Sequence, residues 1–92
     1  MLPIEWSDEA QLDLAEIQFY IEQFNPAAAQ DLRQTIEQGV ERFLPLVPFG
    51  LRPGRVRGTR EYVVHPNYIV VYRVEQARIH VLRVLHARQE YP

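Results

Sequence analysis

The 92-residue sequence contains no cysteine and no lysine. Without cysteine, the chain has no disulfide framework and no thiolate ligand for a metal ion. No apolar run approaches the roughly 20 residues of a membrane-spanning helix, and residues 1–6 lack the basic flank and apolar stretch of a signal peptide. These absences lead us to expect a soluble cytoplasmic protein, and the length predicts one domain, 1–92.

Sequence motifs for several common chemistries are missing as well. There is no Gly-rich phosphate loop, no paired-carboxylate pattern and no HExxH sequence. The histidines do not have the spacing of metal ligands, since His80 and His86 are separated by roughly 20 Å along a strand at about 3.3 Å per residue. The only serine, Ser7, is better explained as a helix cap than as a nucleophile. The sequence therefore predicts neither a metal site nor a cofactor.

The net charge of −2 conceals a strong asymmetry between the two halves of the chain. Residues 1–46 have a net charge of −7, and residues 47–92 have a net charge of +5. All the basic residues are arginines, which recognise carboxylate or phosphate groups through two parallel hydrogen bonds. Three interpretations stay open: the basic half binds nucleic acid, binds an acidic protein partner, or attracts the protein's own acidic half.

Two amphipathic helices are predicted in the acidic half. Ser7 caps the first helix, and Asn25 and Pro26 end it and start the second, which runs to about Leu44. The first apolar stripe comprises Ala10, Leu14, Ile17, Ile21 and Phe24, and the second comprises Ala29, Leu32, Ile36, Val40 and Phe43. The short connection predicts an antiparallel αα-hairpin. Leu12, Phe19 and Tyr20 lie off the first stripe, which indicates that the first helix contacts a second surface.

The basic half begins with a loop and continues as a β-meander. Prolines and glycines interrupt residues 45–58, and a loop of this length is usually functional or mobile. Three antiparallel strands are then predicted, separated by turns at residues 65–67 and 75–78, and Ile4–Trp6 is a further short strand. We therefore predict an α+β fold in which an N-terminal αα-hairpin packs on an antiparallel β-sheet. Gly39, on the apolar side of the second helix, is expected to serve simple helix packing, and the alternative is that it lets a neighbouring backbone approach closely.

The alternation of side chains assigns the strand residues to two faces. Pairing Val64 with Tyr68 and Val74 with Ile79 places Arg60, Tyr62, Val64, Tyr68, Val70, Tyr72, Val74, Ile79, Val81, Arg83 and Leu85 on one face. The other face carries Thr59, Glu61, Val63, Ile69, Val71, Arg73, His80, Leu82, Val84 and His86. Both faces are substantially apolar, but a helical hairpin covers only one of them. The second is expected to be an exposed apolar patch, which usually marks a protein interface.

A few polar residues remain candidates for chemistry or for binding. Arginine, histidine and tyrosine together can position a phosphate, donate a proton and stack on a base, so a metal-free ribonuclease is one possibility. We expect His86 to have a structural or rim role, and Arg83 to pair with an acid of the first helix such as Asp13 or Glu16. Arg73 and Arg88 are the better candidates for contacting a partner.

The order of these segments resembles a known family over nearly the whole chain. The residues that carry the resemblance follow the acidic hairpin and its Asn25–Ala28 connection: Pro48–Gly50, Gly58–Tyr62, Tyr68–Val74, Leu82–Arg88 and a tail ending in Tyr91 and Pro92. Together they resemble the RelE/ParE superfamily of type II toxin–antitoxin toxins, the ParE-like branch in particular. The resemblance implies a helical hairpin on a twisted antiparallel sheet, and a cognate antitoxin that neutralises the toxin in an oligomeric complex.

The resemblance implies two modes of action. RelE-like members cut mRNA on the ribosome with basic residues and a histidine or tyrosine, and ParE-like members are associated with poisoning DNA gyrase. The nucleases typically have arginine where this chain has Ile69, so we expect a gyrase inhibitor. A ribosome-dependent mRNA endonuclease and a non-toxic degenerate binding module are the alternatives. A nuclease would use Arg73, His86, Arg88 and Tyr91. The antitoxin or target would contact Val63, Ile69, Val71, Arg73, Leu82, Val84, His86 and Arg88.

Overall fold

A computed structural model describes residues 1–92. The elements in chain order are β1 (Ile4–Trp6), α1 (Asp8–Glu22), α2 (Pro26–Phe43), β2 (Arg60–His65), β3 (Tyr68–Val74) and β4 (Ile79–His86). They form one sheet of order β1-β4-β3-β2. The predicted α+β fold, an αα-hairpin on a sheet, is confirmed. The sheet is mixed rather than wholly antiparallel, because β1 runs parallel to β4 while β2, β3 and β4 alternate in direction.

Both predicted helix caps are present. The Ser7 hydroxyl oxygen accepts a hydrogen bond from the Ala10 backbone N–H at 3.0 Å, and the Asn25 side-chain oxygen accepts one from Ala28 N–H at 3.1 Å. Helix α1 ends at Glu22, before the expected last stripe position, because the residue ahead of a proline disfavours helical geometry. Phe24 therefore lies beyond the helix and is exposed. No helix combines the length and the apolar character required to cross a membrane.

The main core lies between the hairpin and one face of the sheet. Its buried members are Ala10, Leu14, Ile36, Val40, Leu44, Val70, Tyr72, Ile79, Val81 and Val84. The Tyr72 hydroxyl donates a hydrogen bond to the Pro48 carbonyl at 2.9 Å, which satisfies the buried phenol and fixes the loop after α2. Of the other predicted stripe residues, Ala29 is buried, and Ile17, Ile21 and Leu32 are only partly buried. The stripe prediction is wrong for Phe43, which is 38% exposed at the end of α2.

Gly39 of α2 faces the sheet, as expected, but its close neighbour is a side chain. A Cβ atom at this position would lie 2.7 Å from the Val64 Cγ2 methyl group and 3.5 Å from the Tyr62 hydroxyl oxygen. The alternative, close approach of a neighbouring backbone, is therefore wrong. The glycine instead leaves room for β2 side chains to pack against the helix.

Two register shifts in the sheet change the predicted faces. The Val74–Ile79 pair is confirmed, but Tyr68 pairs with His65 and not with Val64. Between β3 and β4, consecutive pairs join Tyr72 to Val81 and Val71 to Arg83. The residue between Val81 and Arg83 is left unpaired by this bulge.

The bulge in β4 reverses the alternation of its last residues. Val84 pairs with Val70 and belongs to the helix-covered core, and His86 pairs with Tyr68 on that same side. Leu85 pairs with Ile69 on the second face. Arg83 pairs with Val71 of the second face as well. The predicted faces of Arg83, Val84, Leu85 and His86 are therefore wrong, because a bulge has no signature in the alternation of apolar residues.

The second face of the sheet is buried at its centre. Ile69 is 4% exposed and Val71 is 0% exposed, and Leu85 is also buried. The predicted exposed apolar patch is therefore wrong at these positions. The chain's own loop and tail meet on this side, since the Arg55 guanidinium donates a hydrogen bond at 3.0 Å to the Gln89 carbonyl.

Glu61 holds the loop onto the second face. Its side chain projects on the same side as Val71, with which it is paired, and is only 4% exposed. The carboxylate accepts hydrogen bonds from the Arg52 guanidinium at 3.0 Å and from the Arg55 backbone N–H at 3.1 Å. The Arg55 guanidinium nitrogen Nε lies 3.5 Å away from it. Because Arg55 also binds the tail, Glu61 connects β2, the loop and the C-terminal residues.

The core assignment predicts a large cost for truncating Ile36. Ile36→Ala should lower the free energy of unfolding by about 2–5 kcal/mol, because the removed methyl and methylene groups leave a cavity between α2 and the sheet. Chemical denaturation measures the loss, with exposed Leu12→Ala as the control at about 0.5 kcal/mol or less. Equal stabilities for the two variants would contradict the core assignment.

The role of Glu61 predicts that removing its charge loosens the tail. Glu61→Gln should lower the free energy of unfolding by about 1–3 kcal/mol, because hydrogen bonds from two arginines to a carboxylate are weakened. Exposed Glu90→Gln in the tail is the control. Hydrogen exchange should also be faster at the Ala87 and Gln89 amides in Glu61→Gln alone. Unchanged exchange there would show that the tail is held by other contacts.

Candidate functional site

A cleft of about 280 Å³ lies between α1 and the end of the sheet where β4 meets the tail. Helix α1 contributes one wall, and the ends of β3 and β4 contribute the other. Its lining residues are Asp13, Glu16, Ile17, Tyr20, Tyr68, Arg83, Val84, His86 and Gln89. The cleft therefore combines aromatic rings, an imidazole and charged groups of both signs.

Tyr68 stands between two histidines that have the same local geometry. Its ring centroid lies 5.8 Å from that of His65 and 5.5 Å from that of His86. The Nδ1 atoms of both histidines accept backbone N–H groups two residues later, from Asn67 at 3.0 Å and from Arg88 at 3.1 Å. Burial raises the pKa of Tyr68, and the nearby Tyr20 raises it further, so its phenol is neutral at pH 7. Each imidazole thus stabilises a turn through its Nδ1 atom.

Arg83 is held by internal partners on the wall of the cleft. Its guanidinium donates hydrogen bonds at 2.7 and 3.1 Å to the two carboxylate oxygens of Asp13, which confirms the predicted ion pair. These hydrogen bonds raise the pKa of Arg83. The guanidinium also lies 5.7 Å from the centroid of the Tyr91 ring. Arg83 is therefore already paired and stacked within the chain.

Arg73 lies in a different ion-pair cluster, on the second face. Its guanidinium is 3.8 Å from the Glu75 carboxylate, which also accepts a hydrogen bond from Arg78 at 2.6 Å. That hydrogen bond is the main reason that the pKa of Glu75 is lowered. The His80 Nδ1 atom is 3.4 Å from Glu75 but has no hydrogen-bond partner. Arg78 pairs with Glu5 as well, so the cluster connects β1 to the turn between β3 and β4.

The predicted nuclease residues are not brought together as one set. Arg73 pairs with His80, whereas His86 pairs with Tyr68. Five residues along β3 separate these positions, or about 16 Å at 3.3 Å per residue. The other predicted residues lie nearer to His86, because the Arg88 backbone bonds to His86 and Tyr91 stacks on Arg83.

The predicted partner-binding residues differ in exposure. Val63 is 48% exposed on β2, the edge strand of the sheet. Arg73, His86 and Arg88 are also exposed, and Leu82 is partly buried. Ile69, Val71 and Val84 are buried inside the chain, so no partner reaches them in this conformation. The accessible part of the predicted surface is therefore a basic rim with two apolar residues.

The wall that α1 contributes to the cleft was not predicted from the sequence. Ile17 was assigned to the core stripe and Tyr20 was placed off it, yet the two side chains line the cleft together. The position of Tyr20 off the stripe was the available signal, because it indicated a second contact surface. No group of three or more histidine and acidic side chains is arranged to hold a metal ion.

Comparisons with known proteins agree on one family. The family model for the ParE toxin of the type II toxin–antitoxin system, parDE, matches residues 4–91. The chain is 38% identical to the Y4kP protein of Sinorhizobium fredii over 97% of this chain and 92% of the relative. It is 33% identical to toxin RelE2 of Caulobacter vibrioides over 95% of this chain and 97% of that protein.

A solved structure supports the same assignment. The fold superposes on a chain of the chromosomal ParDE toxin–antitoxin system from P. aeruginosa with a TM-score of 0.83. The two sequences are 26% identical, and the match covers 94% of this chain and 96% of that one. Because the family model, the relatives and the fold agree over nearly the full length, the chain belongs to the ParE toxin family, within the RelE/ParE superfamily of type II toxin–antitoxin toxins.

Proposed function

We propose that residues 1–92 form a single toxin domain that inhibits DNA gyrase by protein–protein contact and does not cleave RNA. A cognate antitoxin neutralises it in the cytoplasm by forming an oligomeric complex with it. The observation that carries the proposal is the dispersal of the residues that a nuclease would need. Arg73 is engaged by Glu75 on the second face, and about 16 Å of β3, at about 3.3 Å per residue, separates it from the strand position paired with His86.

The position that typically carries a phosphate-binding arginine in the nucleases also supports the proposal. Ile69 occupies this position and is only 4% exposed, on the side of the sheet where the loop and the tail meet. The one arginine in the cleft, Arg83, is bound by both carboxylate oxygens of Asp13. An incoming phosphate would have to displace this carboxylate, and exchanging one paired anion for another gains little free energy.

The choice of gyrase rests on the family branch. The matching family model is that of ParE toxins of parDE systems, and the matching solved structure is a ParDE system. ParE-like members of the superfamily are associated with poisoning DNA gyrase. Such a mode of action requires a protein-binding surface and no catalytic residues of the toxin's own.

The cleft favours a second candidate function, ribosome-dependent cleavage of mRNA. Tyr20, Tyr68 and His86 place two phenols and an imidazole around a space of about 280 Å³. Rings of this kind can stack on bases, and an imidazole can transfer a proton. A relative with 33% identity is named toxin RelE2, and this name is a second reason to test for mRNA cleavage.

Induction of the protein in bacterial cells separates the alternatives. DNA synthesis and strand breaks are followed in one sample, and the integrity of mRNA is followed in another. We expect arrested DNA synthesis, DNA breaks and an SOS response, with intact mRNA. Rapid mRNA cleavage with continued DNA synthesis would support the nuclease instead, and normal growth would indicate a non-toxic binding module.

His86 provides a test at the level of one residue. His86→Ala should arrest growth as strongly as the parent protein, because its imidazole stabilises a turn and performs no chemistry in a gyrase inhibitor. His65→Ala is the matched control, since His65 makes the same Nδ1 hydrogen bond and also packs beside Tyr68. Codon-specific mRNA cuts that disappear in His86→Ala but persist in His65→Ala would contradict the proposal.

For the antitoxin we propose the accessible part of the second face. Apolar side chains of an antitoxin segment would contact Val63 and Leu82, and its acidic residues would pair with Arg73 and Arg88. Arg57 and Arg88 are exposed and form no ion pair, so both remain available to an acidic partner. A segment that folds on binding offsets its ordering entropy by burying a large surface.

This proposal predicts different kinetic effects for an apolar and a charged substitution. Val63→Asp should raise the dissociation rate of the antitoxin, because it places an unpaired carboxylate beneath the partner. Arg73→Ala should mainly lower the association rate and its salt dependence. Surface-based kinetic measurements on folded variants distinguish the two effects. Val71→Asp is unsuitable for this test, because Val71 is fully buried. Full-strength binding by Val63→Asp would exclude this surface.

A further inference from the structure

The outward side of α1 carries large apolar side chains that no part of the chain covers. Leu12 is 58% exposed and Phe19 is 65% exposed, seven residues further along the helix. Ala15 lies between them on the same side, since residues at i, i+3 and i+7 share one helical face. The core residues Ala10 and Leu14 lie on the opposite side. Isolated exposed apolar residues are ordinary, but a continuous strip of them usually marks an interface.

The charge around this strip has one sign. Helix α1 contains Asp8, Glu9, Asp13, Glu16 and Glu22 and no basic residue. Only Asp13 is paired, through Arg83, and the other four acids form no ion pair. The helical repeat places Asp8 and Glu16 beside the strip of Leu12, Ala15 and Phe19. Its electrostatic complement is therefore an apolar groove rimmed by lysine or arginine.

We infer that the outer strip of α1, formed by Leu12, Ala15 and Phe19 with Asp8 and Glu16 at its sides, is the surface that docks on the toxin's target protein. The target supplies an apolar groove with a basic rim. This inference rests on the proposed function, because it assumes that the toxin acts by contacting a protein. It adds that target and antitoxin use separate surfaces of opposite charge.

Charge and position in the fold favour the target protein over two other occupants of this strip, a second copy of the chain and the antitoxin. Two copies of α1 packed together would bring unpaired acids against each other, which disfavours a symmetric dimer. The acidic strip of one copy could also contact the basic rim of the next copy. Such a head-to-tail contact is heterologous, and it builds an open filament unless the rotation between copies closes a ring. The surface proposed for the antitoxin is basic and belongs to the sheet, so an acidic segment suited to it is repelled by α1.

A double variant with a chemically matched control tests the inference. Leu12→Ser/Phe19→Ser removes the strip, and Leu46→Ser/Phe49→Ser removes a leucine and a phenylalanine that are each 66% exposed in the loop after α2. Both variants are first checked for folding by circular dichroism and chemical denaturation. Growth arrest is then measured against induced protein level, and antitoxin binding is measured by calorimetry.

We expect the strip variant to need at least about tenfold more protein for the same growth arrest, the loss typical of interface hot spots. The loop control should match the parent, and all three proteins should bind the antitoxin equally. Arrest at parental levels by the strip variant would overturn the inference while leaving the proposed function intact.

Two further outcomes would also overturn it. Loss of antitoxin affinity in the strip variant alone would assign the surface to the antitoxin. If the parent is an oligomer in solution and the strip variant is a smaller one, the strip would be assigned to contact with a second copy of the chain. If the parent itself causes neither growth arrest nor DNA damage, the proposed function fails, and this inference fails with it.

Discussion

The carboxylate of Asp13 joins the acidic hairpin to the basic sheet. Strand β1 pairs with β4 only as far as Val81, so the rest of that edge has no neighbouring strand. Ser7 and Asp13 of the α1 segment take over this role, because Ser7 donates to the Val81 and Leu82 carbonyls and Asp13 accepts from the Val84 N–H at 2.9 Å. The same carboxylate binds Arg83 through two hydrogen bonds. This contact fixes the position of α1 against β4, and with it the cleft.

Ion pairs within the chain compensate part of the charge asymmetry between its two halves, but two oppositely charged surfaces remain. Arg83 and Arg78 pair with Asp13 and Glu5 of the acidic half, whereas Arg52 and Arg55 pair with Glu61 inside the basic half. The acids of α1 outside this pairing and the exposed arginines of the basic half remain. A chain that neutralised its two halves completely would have little charge left to select partners. The remaining distribution suits a toxin that meets two different proteins.

The spacing of apolar residues was sufficient to predict the helices and strands, but it was insufficient to predict which residues lie on each face of the sheet. The two helices, both caps, the buried centres of the stripes and the Arg83–Asp13 pair could be predicted, because each depends on local spacing or on charge. The stripes failed at their ends, since Phe24 and Phe43 are exposed. Val84 and Leu85 were assigned to the wrong faces, because a bulge adds one residue without altering the apolar pattern. The burial of Ile69 and Val71 could not be predicted either. The loop and the tail meet on that side of the sheet, where Arg55 donates hydrogen bonds to Glu61 and to the Gln89 carbonyl, and no spacing in the sequence encodes these long-range contacts.

We propose that this family member acts through contact surfaces and has no assembled catalytic site. Supercoiling of relaxed plasmid by purified DNA gyrase, with increasing amounts of purified toxin, measures this most directly. We predict inhibition that depends on toxin concentration and is reversed by equimolar antitoxin, while translating ribosomes given the same toxin keep their mRNA intact. Unimpaired supercoiling together with cleavage of the ribosome-bound mRNA would contradict the account.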